Sequence, residues 1–187
     1  MGSHAEKQAA LEAAAAINSK IALEGKFISV RRDEIDYPNG VHKTWDIVVH
    51  PGAVAVVPLT EDGHLILVEQ WRRAIGRITL EIPAGVLETG EKPEFAAQRE
   101  LQEEIGKKAG SLTYLGPYFS SPGVFTEKVH LFVGKNLEDS FLKGDDTDEI
   151  DIRIVPLQTA LKLIEDGTIC DAKTALGILL VRSQICG

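Results

Sequence analysis

The sequence predicts an α/β domain with a small element ahead of it. Three observations lead to this class. The 187 residues are 44% hydrophobic, which suffices for a sizeable core. Strand-like runs dominate the middle of the chain, and helical patterns alternate with them towards the C-terminus. No apolar run approaches the roughly 20 residues that a membrane span needs, so no membrane association is expected.

The first 50 residues predict a helix followed by a hairpin. Residues 5–23 are rich in Ala, Glu, Lys and Leu, a composition that favours a helix. Phe27–Asp36 and Thr44–Val49 have the character of strands, and the turn residues 38–40 (Pro-Asn-Gly) lie between them. We therefore expect these two strands to pair.

The remaining chain mixes strands with helices. Ala53–Pro58 is a continuous apolar run and predicts a buried strand. Further strands are predicted at 64–70, 78–82, 112–118, 129–134 and 150–155, and helices at 93–105, 157–165 and 172–186. The pattern alone leaves an α+β arrangement open beside the α/β one.

Composition also excludes function classes. The formal charge is −8, and such a surface repels phosphodiester backbones, so nucleic-acid binding is disfavoured. Cys170 and Cys186 are too few for a disulfide scaffold or a zinc site. They indicate reduced thiols in a cytoplasmic protein.

One helix concentrates acidic residues. Pro93 suits its first turn, and Glu100, Glu103 and Glu104 share one face at spacings of three and four. Like charges at such spacings destabilise a bare helix, whereas an oxygen-preferring cation such as Mg²⁺ reverses the repulsion. A solvated acidic face is the simpler alternative. The positions expected to face the core are Phe95, Leu101 and Ile105.

A wider spacing surrounds these glutamates. The pattern runs Gly85, five residues, Glu91, seven residues, Arg99-Glu100-Leu101, one residue, Glu103-Glu104, one residue, Gly106. It resembles the Nudix box, the signature of the Nudix hydrolases. Lys107 departs from the aliphatic residue usual there, which affects packing and leaves the carboxylates intact. The resemblance implies an α/β/α sandwich around a mixed sheet.

The resemblance also implies roles for individual residues. Arg99 matches a residue that orients the glutamates, with Glu91 as its partner. The implied cofactor is Mg²⁺, with Mn²⁺ as an alternative, placed to activate a water against a diphosphate. The metal ligands implied by position are the backbone carbonyl of Ala84 and the carboxylates of Glu100, Glu104 and, for a further cation, Glu103.

Two further segments resemble the branch that cleaves ADP-ribose and nucleoside diphosphate sugars. The loop 120–127 carries Pro122, Gly123 and Glu127 as candidate substrate contacts, the alternative being an ordinary turn. Residues 69–73 and 80–85 resemble the branch's lead-in to the box. There Arg72 is the best candidate to bind a substrate phosphate, with Arg73 as the second choice and Glu81 also a candidate contact, unless the arginines are merely a surface pair.

The same branch uses its N-terminal region as a small sheet exchanged between the subunits of a homodimer. This implies a dimerisation element at residues 5–50 and a hydrolase domain at residues 51–187. Phe27 or Trp45 could then stack on the partner's nucleobase, although both could equally pack in a core or dimer interface.

The catalytic base is expected in the acidic loop 144–151, which resembles a mobile loop of the branch. Its candidates are Glu149 and Asp148, which the sequence does not rank, and a hydrophilic surface turn is the alternative.

The sequence thus predicts a metal-dependent hydrolase of a small nucleoside diphosphate sugar, ADP-ribose first. Three rivals stay open: a nucleoside triphosphate pyrophosphatase, a GDP-mannose-selective enzyme and a non-catalytic ligand sensor of the same fold.

Overall fold

The computed structural model describes residues 3–144 and 150–185. The chain divides into two compact units. The first unit comprises Met1–Pro51 and Ser121–Glu127, and the second comprises Gly52–Ser120 and Lys128–Gly187. Among the described residues, no helix combines the length and apolar character needed to cross a bilayer.

The first unit begins with the helix α1, His4–Ala13. Ser3 Oγ accepts a hydrogen bond from the Glu6 N–H at 3.2 Å, and the Glu6 carboxylate accepts one from the Ser3 N–H at 2.6 Å. This reciprocal capping box fixes where the helix starts. The prediction of a helix over 5–23 is correct only for this part.

The strand β1, Ala16–Glu24, replaces the second half of the predicted helix. The strand pairs antiparallel with β2, Ser29–Asp36, over most of its length. Ser19 Oγ also donates to Asp33 at 2.6 Å across this pair. Backbone pairing with a neighbouring strand has therefore overridden the helical preference of the composition.

The predicted hairpin is confirmed. β2 pairs antiparallel with β3, His42–Val49, so the sheet order is β1-β2-β3. Its turn closes with a hydrogen bond from the Gly40 N–H to the Tyr37 carbonyl at 2.9 Å, and Gly40 has the positive φ of 81° that this turn requires. The segment 121–127 joins β3, since the Val48 N–H donates to the Val124 carbonyl at 2.8 Å.

The second unit contains two sheets. The four-stranded sheet has the order β7-β4-β9-β8, with β4 and β9 parallel and the other pairs antiparallel. The three-stranded sheet has the order β10-β5-β6 and is antiparallel. The strands are β4 (Ala53–Pro58), β5 (His64–Arg72), β6 (Arg77–Glu81), β7 (Ala84–Val86), β8 (Lys107–Phe119), β9 (Lys128–Asp139) and β10 (Asp151–Pro156).

Three helices cover these sheets: α2 (Pro93–Glu104), α3 (Leu157–Glu165) and α4 (Ala172–Ile185). Along β4 the side chains alternate between two cores. Val54 and Val56 pack with α2, whereas Ala55 and Val57 pack with α3 and α4. Helices on both faces of a mixed sheet confirm the predicted α/β sandwich.

One predicted core position of α2 is wrong. Ala97, Leu101 and Ile105 face the core, but Phe95 is 66% exposed. At 100° per residue, Phe95 lies on the opposite side of the helix from the arc centred between Ala97 and Leu101.

Candidate active site

The acidic face of α2 is held against the strand β7. Leu101 and Ala97 are fully buried and anchor the helix on the sheet, which brings Glu100 with them into a buried position. At Gly85 in β7, an added Cβ would overlap the Glu100 carboxylate. A larger residue at this position would therefore displace the Glu100 carboxylate from beside the strand.

Glu104 is attached to the backbone that precedes the box. Its Oε2 accepts a hydrogen bond from the Ala84 N–H at 3.1 Å. Burial raises the pKa of Glu104 to about 8, and the nearby charge of Glu100 adds to the shift. The same two causes act on Glu100, where burial first and then the charge of Glu103 raise the pKa to about 7 against the opposing effect of Arg99.

Arg99 binds three glutamates at once. Its Nε and Nη2 donate to the two oxygens of Glu91 at 3.0 Å each, forming a bidentate pair. Its Nη1 donates to Glu100 at 2.6 Å and to Glu103 at 3.1 Å. These hydrogen bonds, those to Glu91 foremost, raise the pKa of Arg99. The predicted partnership of Arg99 and Glu91 is formed. We call Glu91, Arg99, Glu100, Glu103 and Glu104 the box cluster.

The box cluster has four carboxylates and a single cationic side chain. Within the ranges 3–144 and 150–185, no three Asp, Glu, His or Cys side chains already converge to hold a metal ion. Glu100 and Glu103 turn towards Arg99, and Glu104 turns towards the Ala84 N–H. The donor chemistry nevertheless fits an oxygen-preferring divalent cation, because Glu100 is buried, the other three carboxylates are half-buried, and the four share one cationic side chain.

A second group of charges surrounds Glu81 at the end of β6. Arg72 Nε and Nη2 each donate to the Glu81 carboxylate at 2.7 Å, and Thr79 Oγ1 donates to it at 2.6 Å. Lys173 Nζ lies 2.5 Å from Glu81 and 3.0 Å from Asp171. We call these five residues the Glu81 cluster.

Glu81 is fully paired, unlike the glutamates of α2. Burial alone would raise its pKa, but the hydrogen bonds and charges of Arg72 and Lys173 outweigh it and lower the pKa to about 2. The sequence suggested Glu81 as a substrate contact, whereas its oxygens are occupied by Arg72, Thr79 and Lys173. Arg73 is exposed in the turn after β5.

Sequence reasoning missed Lys173 and Asp171. Asp171 directly precedes α4 and accepts from the Thr174 N–H at 3.0 Å, a capping position that the sequence does signal. The approach of Lys173 to Glu81, 92 residues earlier, has no sequence signal.

Five predicted substrate residues belong to the first unit. Phe27 is 59% exposed, with Lys26 Nζ 4.6 Å from the centre of its ring, and Trp45 is 44% exposed on β3. Glu127 Oε1 lies 3.8 Å from the His50 ring. The other two are Pro122 and Gly123, which lie in the segment 121–127 attached to β3.

The two candidates for the catalytic base, Asp148 and Glu149, lie outside the described residues. Of the predicted site residues that the structure describes, those of the box cluster lie together, and Arg72 lies beside Glu81.

Comparison with known proteins identifies the class of this chain. The NUDIX domain matches residues 49–176, which include both clusters. The chain therefore belongs to the Nudix hydrolase family.

Individual relatives extend over most of the chain. An ADP-ribose pyrophosphatase of Bacillus subtilis (strain 168) is 42% identical over 156 residues, covering 82% of this chain and 84% of the relative. A methanol dehydrogenase activator of Bacillus methanolicus is 36% identical, covering 90% and 92%. The solved structure of an ADP compounds hydrolase matches with a TM-score of 0.83 and 28% identity, covering 92% of this chain and 95% of that one.

Proposed function

We propose that this enzyme hydrolyses the diphosphate bond of a nucleoside diphosphate sugar, with ADP-ribose as the leading substrate. Water attacks one phosphorus, the bridging P–O bond breaks, and a nucleoside monophosphate and a sugar phosphate are released. The substrate class is supported by the relatives named above, an ADP-ribose pyrophosphatase and an ADP compounds hydrolase.

The box cluster is the observation that carries the chemistry. Glu100 is buried and Glu104 is half-buried, and their pKa values are raised to about 7 and about 8. A divalent cation would offset this deficit of positive charge. Glu100, Glu104 and the carbonyl of Ala84 would hold Mg²⁺, or Mn²⁺ in its place, and Glu103 would assist with a further ion. When bound, such ions neutralise the diphosphate and lower the pKa of a water.

Arginines serve the same reaction in two ways. Arg99 orients Glu100 and Glu103 through its hydrogen bonds to both. Arg72 would bind a phosphate oxygen of the substrate, with Arg73 as the second choice. The charge of Glu104 contributes to the raised pKa of Arg72, so the two side chains lie within electrostatic reach. A diphosphate could thus meet Arg72 and the metal ligands together.

The base that accepts a proton from the attacking water is proposed to be Glu149 or Asp148. Both follow Gly144 in an acidic segment that precedes β10. A base there needs to come within hydrogen-bond reach of the water when substrate is bound.

The first unit is proposed to complete the site in a homodimer. Every residue of the edge strand β1 is exposed, and Ile17, Ile21 and Leu23 are each more than half exposed. Apolar edge strands of this kind are usually covered. Residues 5–50 would act as the dimerisation element of a hydrolase domain at residues 51–187.

The proposed contacts with the nucleoside and the sugar also come from the first unit. Phe27 or Trp45 would stack on the nucleobase, since both rings are exposed. The loop residues Pro122, Gly123 and Glu127 would contact the substrate beside them. We also infer a cytoplasmic setting, supported by the exposed free thiol of Cys170.

A substrate panel tests the function. ADP-ribose, GDP-mannose, other nucleotide sugars and nucleoside triphosphates are incubated with the protein, with and without Mg²⁺, and phosphomonoester products are measured after adding phosphatase. We expect Mg²⁺-dependent hydrolysis, fastest for ADP-ribose. Hydrolysis of triphosphates alone, or of GDP-mannose alone, would replace the substrate assignment, and binding without turnover would indicate a ligand sensor.

Sedimentation tests the dimer. The wild-type protein is expected to sediment as a dimer at micromolar concentration, and Ile21→Lys with Leu23→Lys is expected to shift it towards monomer. Lys20→Glu, an exposed charge on the same strand, is the matched control. A wild-type monomer at this concentration would contradict the exchanged element.

A further inference from the structure

Lys173 is held by acidic partners on two sides. Its Nζ donates to Glu81 Oε2 at 2.5 Å and to Asp171 Oδ2 at 3.0 Å, and 21% of its side chain is exposed. The same Asp171 oxygen accepts from the N–H and the hydroxyl of Thr174, at 3.0 and 2.5 Å. Asp171 thereby fixes both the start of α4 and the direction of the lysine.

The start of α4 is also attached to the residue after Glu81. Thr174 is fully buried, and its Oγ1 accepts a hydrogen bond from the Ile82 N–H at 3.0 Å. Consecutive residues of the helix, Lys173 and Thr174, thus bind consecutive residues, Glu81 and Ile82. The lysine therefore meets Glu81 at a position set by the backbone of both elements.

Glu81 in turn determines how the Arg72 guanidinium is held. Arg72 Nε and Nη2 donate to the two oxygens of Glu81, and these two parallel hydrogen bonds fix the plane of the guanidinium group. No described residue accepts a hydrogen bond from Arg72 Nη1 within 3–144 and 150–185, and 40% of the side chain is exposed. One terminal nitrogen is thus left to meet an anion.

Two cations share one buried carboxylate in this cluster. Only 3% of the Glu81 side chain is exposed, so its negative charge needs compensation from inside the protein. Without Lys173, Arg72 would be the sole counter-ion of Glu81. With Lys173 present, Arg72 Nη1 can bind a second anion while Glu81 stays paired with Nε, Nη2 and Lys173.

We propose that Lys173 is a positioning residue for substrate binding, which stabilises anionic Glu81 so that Glu81 holds the Arg72 guanidinium ready for the substrate's diphosphate. The inference rests on the function proposed above. It adds a residue that lies outside both the Nudix box and the segment leading into it. Lys173 acts through Glu81 and Arg72 without touching the substrate.

Steady-state kinetics with ADP-ribose and Mg²⁺ test this role. Lys173→Met is expected to raise KM about 10-fold and to leave kcat within about 2-fold, since it weakens ground-state and transition-state binding alike. Lys173→Arg keeps the charge and should return KM to within about 3-fold of wild type. Lys162→Met, an exposed lysine of α3, is the matched control and should change neither constant.

A double-mutant cycle tests the route of the effect. In a Glu81→Gln background, adding Lys173→Met is expected to change KM by less than about 2-fold, because the carboxylate through which it acts is already gone. A further 10-fold rise would mean that Lys173 contacts the substrate itself and would overturn the proposal. A KM unchanged by Lys173→Met alone, or a fall confined to kcat, would overturn it too.

Thermal unfolding of each variant accompanies the kinetics. If Lys173→Met does not fold, Lys173→Arg and Glu81→Gln still test the proposal. Lys173→Arg must keep KM near the wild-type value, and Glu81→Gln must raise it. Failure of the proposed function is distinct, since the wild-type protein would then hydrolyse no nucleotide sugar. Wild-type turnover with an unaltered KM in the variants would remove only the role of Lys173.

Discussion

The second unit contains two acidic groups, one around buried Glu81 and one around buried Glu100, and their electrostatics are opposite. In the Glu81 cluster, Arg72 and Lys173 surround one buried carboxylate and lower its pKa to about 2. In the box cluster, four carboxylates accompany a single arginine, which bonds to three of them, and the pKa values of Glu100 and Glu104 rise to about 7 and about 8.

The two groups differ in how far the negative charge of their carboxylates is compensated by nearby cationic side chains. A buried charge is stable in a protein only when it is compensated. Glu81 obtains that compensation from its own chain, so its contribution is to hold Arg72 in place. Glu100 shares the charge of Arg99 with Glu91 and Glu103, and Glu104 accepts a hydrogen bond only from the Ala84 N–H, so their compensation is incomplete and a cation from solution is proposed to complete it.

The largest expected effect is on turnover. Glu100→Gln and Glu104→Gln should each lower kcat by on the order of 10²- to 10³-fold, as expected when electrostatic support of the transition state is removed. Hydrolysis of ADP-ribose at saturating Mg²⁺ is the measurement.

Glu94→Gln is the matched control for these two variants, because Glu94 is an exposed glutamate of the same helix. It should keep wild-type turnover. Near-wild-type rates for Glu100→Gln or Glu104→Gln would show that the box cluster is not the metal site.

The next largest effect is on stability, and it should distinguish the two clusters. Glu81→Gln leaves Arg72 and Lys173 without their common anion, so the free energy of unfolding should fall by about 2–3 kcal/mol. Chemical denaturation measures it. Glu69→Gln breaks the exposed pair with Arg153 and should cost less than about 1 kcal/mol. Equal losses for the two variants would contradict the account of Glu81.

Gly85→Ala sharpens the description of the box cluster. The new methyl group would overlap the Glu100 carboxylate, which must then move from its position beside the strand. We expect about 10-fold more Mg²⁺ to be needed for half-maximal activity, because displaced ligands bind metal less well. Thermal unfolding should change little, since a side-chain end can shift. An unchanged Mg²⁺ requirement would argue against Glu100 as a ligand.

The last expected effect is the pH dependence of the metal-free protein, which no substitution is needed to observe. Between pH 4.5 and about 8, Glu104 loses its proton in the unfolded chain but keeps it in the folded one. Stability should therefore fall as pH rises through this window, and the raised pKa of Glu100 adds to the fall. Glu81 acts in the opposite sense: its contribution is present above pH 4.5 and is lost as pH falls towards 2.

Unfolding midpoints in a chelator at pH 5 and pH 8.5 measure this effect. Glu104→Gln should flatten the decline, and Mg²⁺ should offset it in the wild-type protein. A wild-type midpoint that does not fall between these pH values would contradict the raised pKa values.

Local spacing explains what the sequence predicts well. The residues of the Nudix box lie within one turn-and-helix segment, so their intervals predict α2 and its acidic face, and the resemblance to the box implies the partnership of Arg99 with Glu91. Contacts between distant segments leave no such interval, and the meeting of Glu81 with Lys173 is one of them. Two local predictions also fail for physical reasons: pairing with β2 overrides the helical composition of β1, and Phe95 faces away from the core.

Magnesium binding to the metal-free protein tests the contrast between the clusters most directly. Calorimetric titrations at pH 7 in buffers of different ionisation enthalpy give both the affinity and the number of protons released. We predict binding with proton release, because Glu100 and Glu104 are partly protonated at this pH and must ionise to act as ligands. Glu104→Gln should weaken binding and reduce the release, whereas Glu81→Gln should preserve both. Absence of Mg²⁺ binding, or binding that Glu104→Gln leaves unchanged, would contradict the account.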